Sequence, residues 1–83
     1  MEKRVAIVSI IVENGDKVDE INAILHAYAP YIIGRMGIPY REKGVSIICV
    51  VLDAPNDVTS GLSGKLGMIK GVKTKTVTAK QSN

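Results

Sequence analysis

Residues 4–12 read RVAIVSIIV, a short run dominated by β-branched apolar side chains. This length and composition predict a β-strand rather than a helix. Because successive side chains of a strand point to opposite faces, the strand would be apolar on both of its faces. A second run of the same kind, VSIICVVLD, occupies residues 45–53. We expect these two runs to form the central strands of one sheet.

The segments that follow each of these strands predict helices. Residues 16–29 carry apolar side chains at three- and four-residue spacing and are followed by Pro30, which disfavours a helical residue before it. Asn14 or Asp16 is placed to cap this first helix. The second helix is predicted after residue 57 by a stripe of apolar residues four apart: Val58, Leu62 and Leu66.

Two further segments predict edge strands. Residues 31–40 contain Gly34, Gly37 and Pro39; glycine in a strand marks a bulge or a close approach, and proline confines a strand to an edge. Residues 71–79 alternate threonine with other side chains. The order β-α-β-β-α-β predicts an α+β, ferredoxin-like domain over residues 1–83, with a four-stranded antiparallel sheet and two helices on one face.

The second face of such a sheet has no helix to cover it. The two central strands would expose about six Val, Ile or Leu side chains there, each worth roughly 1.5–3 kcal/mol when fully buried. Monomers rarely expose an apolar patch of this size. We therefore expect a second copy of the chain, related by two-fold symmetry, to cover the face. The alternatives are a different partner protein or an apolar ligand.

Composition narrows the class of protein. The chain is 46% hydrophobic and 23% charged, has a single cysteine, and contains no apolar run near the ~20 residues that cross a bilayer. We expect a cytoplasmic protein with no membrane partner.

The net charge is +3, and residues 58–83 contain lysines but no acid. These lysines would protect a strand edge. The alternative, a lysine-rich nucleic-acid-binding accessory, lacks a supporting motif, so we expect no nucleic acid partner.

Residues that carry catalytic chemistry are scarce. No nucleophile–base pair or carboxylate dyad is visible, so we expect no enzyme. Cys49 lies mid-strand and is expected to be a small buried core residue. His26 is expected to pack beside the first helix stripe; the alternative is a metal site that uses His26 from paired subunits. Residues 61–67, GLSGKLG, resemble a phosphate loop but fail its pattern: Thr59 stands where the first glycine should be, and Leu66 replaces the Ser or Thr that follows the lysine. The start of the second helix is an alternative place for an anion.

The segment GRMG, residues 34–37, is the most unusual in the chain. An arginine between two strand glycines can present its guanidinium to a carboxylate or a phosphate. The alternative is that Arg35 pairs with a nearby acid such as Glu42. Gly34, Arg35 and Gly37 are therefore candidate ligand-binding residues, and no particular cofactor is indicated.

Several segments together resemble a known family. IIGRMGIPY at residues 32–40, GVSII at 44–48, DAP at 53–55 and GKLG at 64–67 resemble the iron-only hydrogenase system regulators. That family is similar to ACT domains and to the regulatory domain of nickel-responsive repressors. The resemblance implies a regulatory role in hydrogenase assembly or expression and brings no catalytic residues.

The resemblance also implies where a ligand or metal would bind. ACT domains often bind amino acids near a glycine between the first strand and first helix, a place that Gly15 occupies here. The nickel repressors use a His-x-His pair that this chain lacks. They also carry a DNA-binding segment ahead of this domain, which we do not expect here because the first strand begins at about residue 4. We expect a homo-oligomeric regulatory module, a dimer or tetramer, that binds a small ligand or a hydrogenase-system protein.

Overall fold

The computed structural model describes residues 2–13 and 15–80. Its strands and α-helices follow the chain in the order β1 (Arg4–Val12), α1 (Val18–Ala27), β2 (Ile32–Tyr40), β3 (Val45–Ala54), α2 (Asn56–Gly67) and β4 (Val72–Thr78). Short 3-10 turns flank α1 and join β2 to β3. Within the described ranges, none of the helices combines the length and the apolar character that crossing a membrane requires.

The sheet has the strand order β2-β3-β1-β4, and every neighbouring pair is antiparallel. The two strands that are apolar on both faces therefore lie at the centre. The strand with glycines and proline and the strand with lysines lie at the edges. The predicted ferredoxin-like fold, α+β with two helices, is confirmed.

The core lies between one face of the sheet and the two helices. Alternate residues of β1 point into it, and Val8, Ile10 and Val12 are completely buried. The stripes predicted for the helices supply the opposite side: Ile21, Leu25, Leu62 and Leu66 are all buried. Full burial of an apolar side chain of this size contributes roughly 1.5–3 kcal/mol, so this layer is the main source of stability.

Two local features differ from expectation. Asp16 lies in a 3-10 turn of residues 15–17 and is not the N-cap of helix α1, which begins at Val18 with Lys17 at its N-cap and no side-chain cap. The other predicted cap, Asn14, lies outside the described residues and stays a prediction. Cys49 is not in the core. It pairs with Ser9 and Met36 and is half-buried on the face without helices, because both faces of β3 are apolar and the sequence pattern does not distinguish them.

The turn before β3 depends on a left-handed backbone at Gly44, whose φ is 66°. We expect Gly44→Ala to lower the free energy of unfolding by about 1–2 kcal/mol, because a Cβ clashes in this conformation. Urea denaturation measures the loss. Gly15→Ala is the matched control, since Gly15 also lies in a turn but has no positive φ and no atom near an added Cβ. An equal loss in both variants would contradict the assignment.

Candidate functional site

The face of the sheet without helices, called here the open face, is largely apolar. Its central strands expose Val5, Ile7, Ile11 and Ile47 by 38–45%, and Val45 and Val51 are half-buried beside them. The edge strands extend the patch, and the added exposed side chains are Met36, Ile38, Tyr40 and Val77. The four exposed and two half-buried side chains of the central strands agree with the prediction that about six apolar side chains lie on this face.

Charges lie at the β4 side of the open face. Lys73 and Lys75 pair in register with Ile11 and Ser9 of β1, so they point to the same side of the sheet. The Lys73 ammonium lies 3.6 Å from a carboxylate oxygen of Glu13. An apolar centre with a charged rim is the usual organisation of a protein–protein interface.

A groove lies on the opposite side of the sheet, between α1 and the edge strand β2. Two adjoining hollows of about 440 and 250 Å³ share Asn22 and Arg35 in their walls. Helix α1 also supplies Leu25 and His26, and β2 supplies Gly37. No carboxylate lines this groove among the residues that the structure describes, so Arg35 gives it a positive charge.

A β-bulge places Arg35 in this groove. Ile32 pairs with Leu52 and Gly34 pairs with Val51, so Ile33 is the extra residue. An extra residue moves every following side chain to the other face of the strand. Without the bulge Arg35 would point to the open face; with it, Arg35 pairs with Val50 on the helix side.

The guanidinium of Arg35 is held by α1. Its Nη2 donates a hydrogen bond of 2.7 Å to Oδ1 of Asn22. The alternative pairing of Arg35 with Glu42 is wrong, because the Glu42 carboxylate instead accepts a 3.2 Å hydrogen bond from the Tyr40 hydroxyl. A guanidinium has five N–H donors in a fork, so the single bond to Asn22 leaves donors for a ligand.

The other candidate residues lie at different places. Gly37 is beside Arg35 in the groove, and a Cβ there would meet nothing within 4 Å. Gly34 pairs with Val51 and faces the open side. Gly15 lies in the turn before α1 and lines neither hollow. His26 lines the groove, and no group of three metal-ligating side chains occurs among the described residues.

Sequence reasoning missed Asn22. Asn22 and His26 are four residues apart on α1, beside the apolar stripe, and side chains at this spacing are neighbours on a helix surface. The four-residue spacing could have indicated that Asn22 and His26 share a face of α1. It could not indicate that β2 lies next to that face, because the position of β2 depends on the strand order of the sheet.

These features define a small domain with a ferredoxin-like core, an apolar open face and a cationic groove. A family model described as "TM1266-like: Iron-only hydrogenase system regulator, putative" matches residues 4–76. The chain belongs to this TM1266-like family of iron-only hydrogenase system regulators.

A comparison with solved structures also relates the chain to this family. One described as "The structure of uncharacterized protein TM1266 from Thermotoga maritima" is 45% identical to this chain and superposes with a TM-score of 0.90. The match covers 95% of this chain and all of the other. None of the curated proteins matched the chain.

Proposed function

We propose that this protein is a cytoplasmic regulatory module of the iron-only hydrogenase system that acts as a homo-oligomer, without catalysis of its own. Two copies pack their open faces together. Each copy holds a small anionic ligand in the groove beside Arg35. The resemblance of the whole chain to the regulator family supports the regulatory role.

The open face is the observation that carries the self-association. Eight exposed apolar side chains lie on it and two more are half-buried, a larger patch than a monomer usually leaves in contact with water. A second copy fits this face because a two-fold interface needs only one self-complementary patch. The lysines at the rim stay in contact with water.

The groove supports the ligand. Arginine binds carboxylates and phosphates through two parallel N–H donors, and in the part of the chain that the structure describes no acid lines the groove to compete for Arg35. The apolar walls at Leu25 and Ile32 suit the body of a small organic acid. The hollow beside Leu25, His26 and Arg35 is lined only by helix-side residues, so packing of the open faces leaves it accessible.

The metal alternative has less support from this arrangement. His26 lies on α1, on the helix side of the sheet, so packing of two open faces would keep the two His26 side chains apart. The lysine alternative is also weaker, because Lys73 already faces Glu13.

Native mass spectrometry tests the ligand. Protein purified anaerobically without added ligand should carry extra mass of an organic acid, and Arg35→Ala should reduce its occupancy about tenfold or more, because a charged hydrogen bond is lost. Arg41→Ala, an exposed arginine outside the groove, should retain the ligand. Equal occupancy in both variants would exclude Arg35 as the binding residue.

A further inference from the structure

A second groove lies at the other edge of the sheet, between α2 and β4. Its volume is about 540 Å³. Among the described residues, its wall carries five hydroxyl groups, one amide and one guanidinium and contains no carboxylate. The residues that form it are Arg4, Asn56, Thr59, Ser60, Ser63, Gly64, Thr76 and Thr78.

Hydroxyl groups join α2 to β4 beside this groove. Thr76 Oγ1 donates to Ser63 Oγ at 3.2 Å, and Ser63 Oγ lies 3.4 Å from Thr74 Oγ1. Thr59 is one helical turn before Ser63 and therefore continues the same row toward the start of α2.

Thr59 is the member of this row without a partner. It is 4% exposed, and its Oγ1 makes no hydrogen bond among the described residues. A buried hydroxyl without a partner destabilises a protein, and such groups are rare. The hydroxyl lies in the first turns of a 12-residue helix, where the helix dipole favours an anion. The Asp57 carboxylate in the same turn accepts from the Val58 N–H and lies outside the groove wall.

Gly64 keeps the groove open. A Cβ at Gly64 would meet nothing within 4 Å, so packing within the chain does not require glycine there. Gly61, by contrast, lies against the Tyr28 hydroxyl, 3.3 Å from an added Cβ. Glycine inside a helix costs stability, and at position 64 its effect is to leave space in the wall.

We propose that this groove binds the phosphate group of a small phosphorylated molecule. The hydroxyls of Thr59 and Ser60 donate to its oxygens, and Arg4 supplies positive charge. A phosphate offers three strong acceptor oxygens, which match a wall of donors better than a carboxylate does. This site is separate from the Arg35 groove and does not depend on self-association.

Titration of the labelled full chain with inorganic phosphate and with pyrophosphate, followed by amide NMR, tests the site. We expect saturable shifts at residues 56–60 and 76–78, with a Kd of about 1 mM or tighter for pyrophosphate. Arg4→Gln should weaken this binding about tenfold. Shifts that do not saturate, or that follow the lysines of β4, would overturn the proposal.

Thr59→Val separates a binding role from a structural one. Without phosphate the variant should melt about 4 °C or more above the parent, because an unsatisfied hydroxyl is removed. It should also bind pyrophosphate about tenfold more weakly. Ser9→Ala, on the open face of β1 and outside the groove wall, is the control and should retain binding. A Thr59→Val protein that is less stable and binds normally would overturn the proposal, as would saturable binding of a neutral sugar in place of phosphate.

Discussion

Ile47→Asp should convert the assembled protein to monomers. Ile47 is 38% exposed at the centre of the open face, between Ile11 of β1 and Ile38 of β2. In a two-fold dimer each copy would bury one unpaired carboxylate, and an uncompensated buried charge costs several kcal/mol. We therefore expect the dissociation constant of the dimer to rise at least about 100-fold.

Light scattering after size-exclusion chromatography measures this change, with Met68→Asp as the matched control. Met68 is 86% exposed and lies after α2, away from the open face, so its substitution should leave the assembly intact. The rate of Cys49 alkylation is a second readout, since Cys49 lies on the open face and should react faster in the Ile47→Asp protein. If Met68→Asp dissociated the protein and Ile47→Asp did not, the interface would lie elsewhere.

Ile10→Ala and Ile11→Ala should have different effects although the two residues are neighbours. Ile10 is completely buried against the helices, whereas Ile11 is 45% exposed on the open face. We expect Ile10→Ala to lower the free energy of unfolding by about 2–5 kcal/mol, because it leaves a cavity in the core. This is a large part of the stability of a small domain.

Urea denaturation in the monomeric Ile47→Asp background measures both variants without the contribution of assembly. There Ile10→Ala should retain its full cost and Ile11→Ala should cost less than about 1 kcal/mol. In the parent background Ile11→Ala should weaken self-association. Equal costs for the two variants in the monomer would contradict the division of β1 into a core face and an open face.

The strand order and the open face were predictable because strands have a simple period of two. In RVAIVSIIV both sets of alternate residues are mostly apolar. Whichever set packs against the helices, the other set therefore forms an apolar surface on the opposite face of the sheet. The same symmetry explains the error at Cys49. A strand that is apolar on both faces does not indicate which set meets the helices.

The candidate site was predictable only in part. The glycines around Arg35 indicated a bulge, but not that Ile33 is the extra residue, and that single position decides which face Arg35 occupies. The contact with Asn22 joins residues 13 apart in sequence, so no local pattern predicts it. The row of hydroxyls between α2 and β4 was not predictable either, because it forms only when the fold places β4 next to α2.

Intermolecular NOEs in a mixture of methyl-labelled and unlabelled protein test the central claim most directly, because they identify the residues that meet between copies. Packing of the open faces predicts NOEs between copies at the methyl groups of Ile7, Ile38 and Ile47, and none at Val8 or Ile10. Intermolecular NOEs confined to the helices, or monomeric tumbling with none at all, would contradict it.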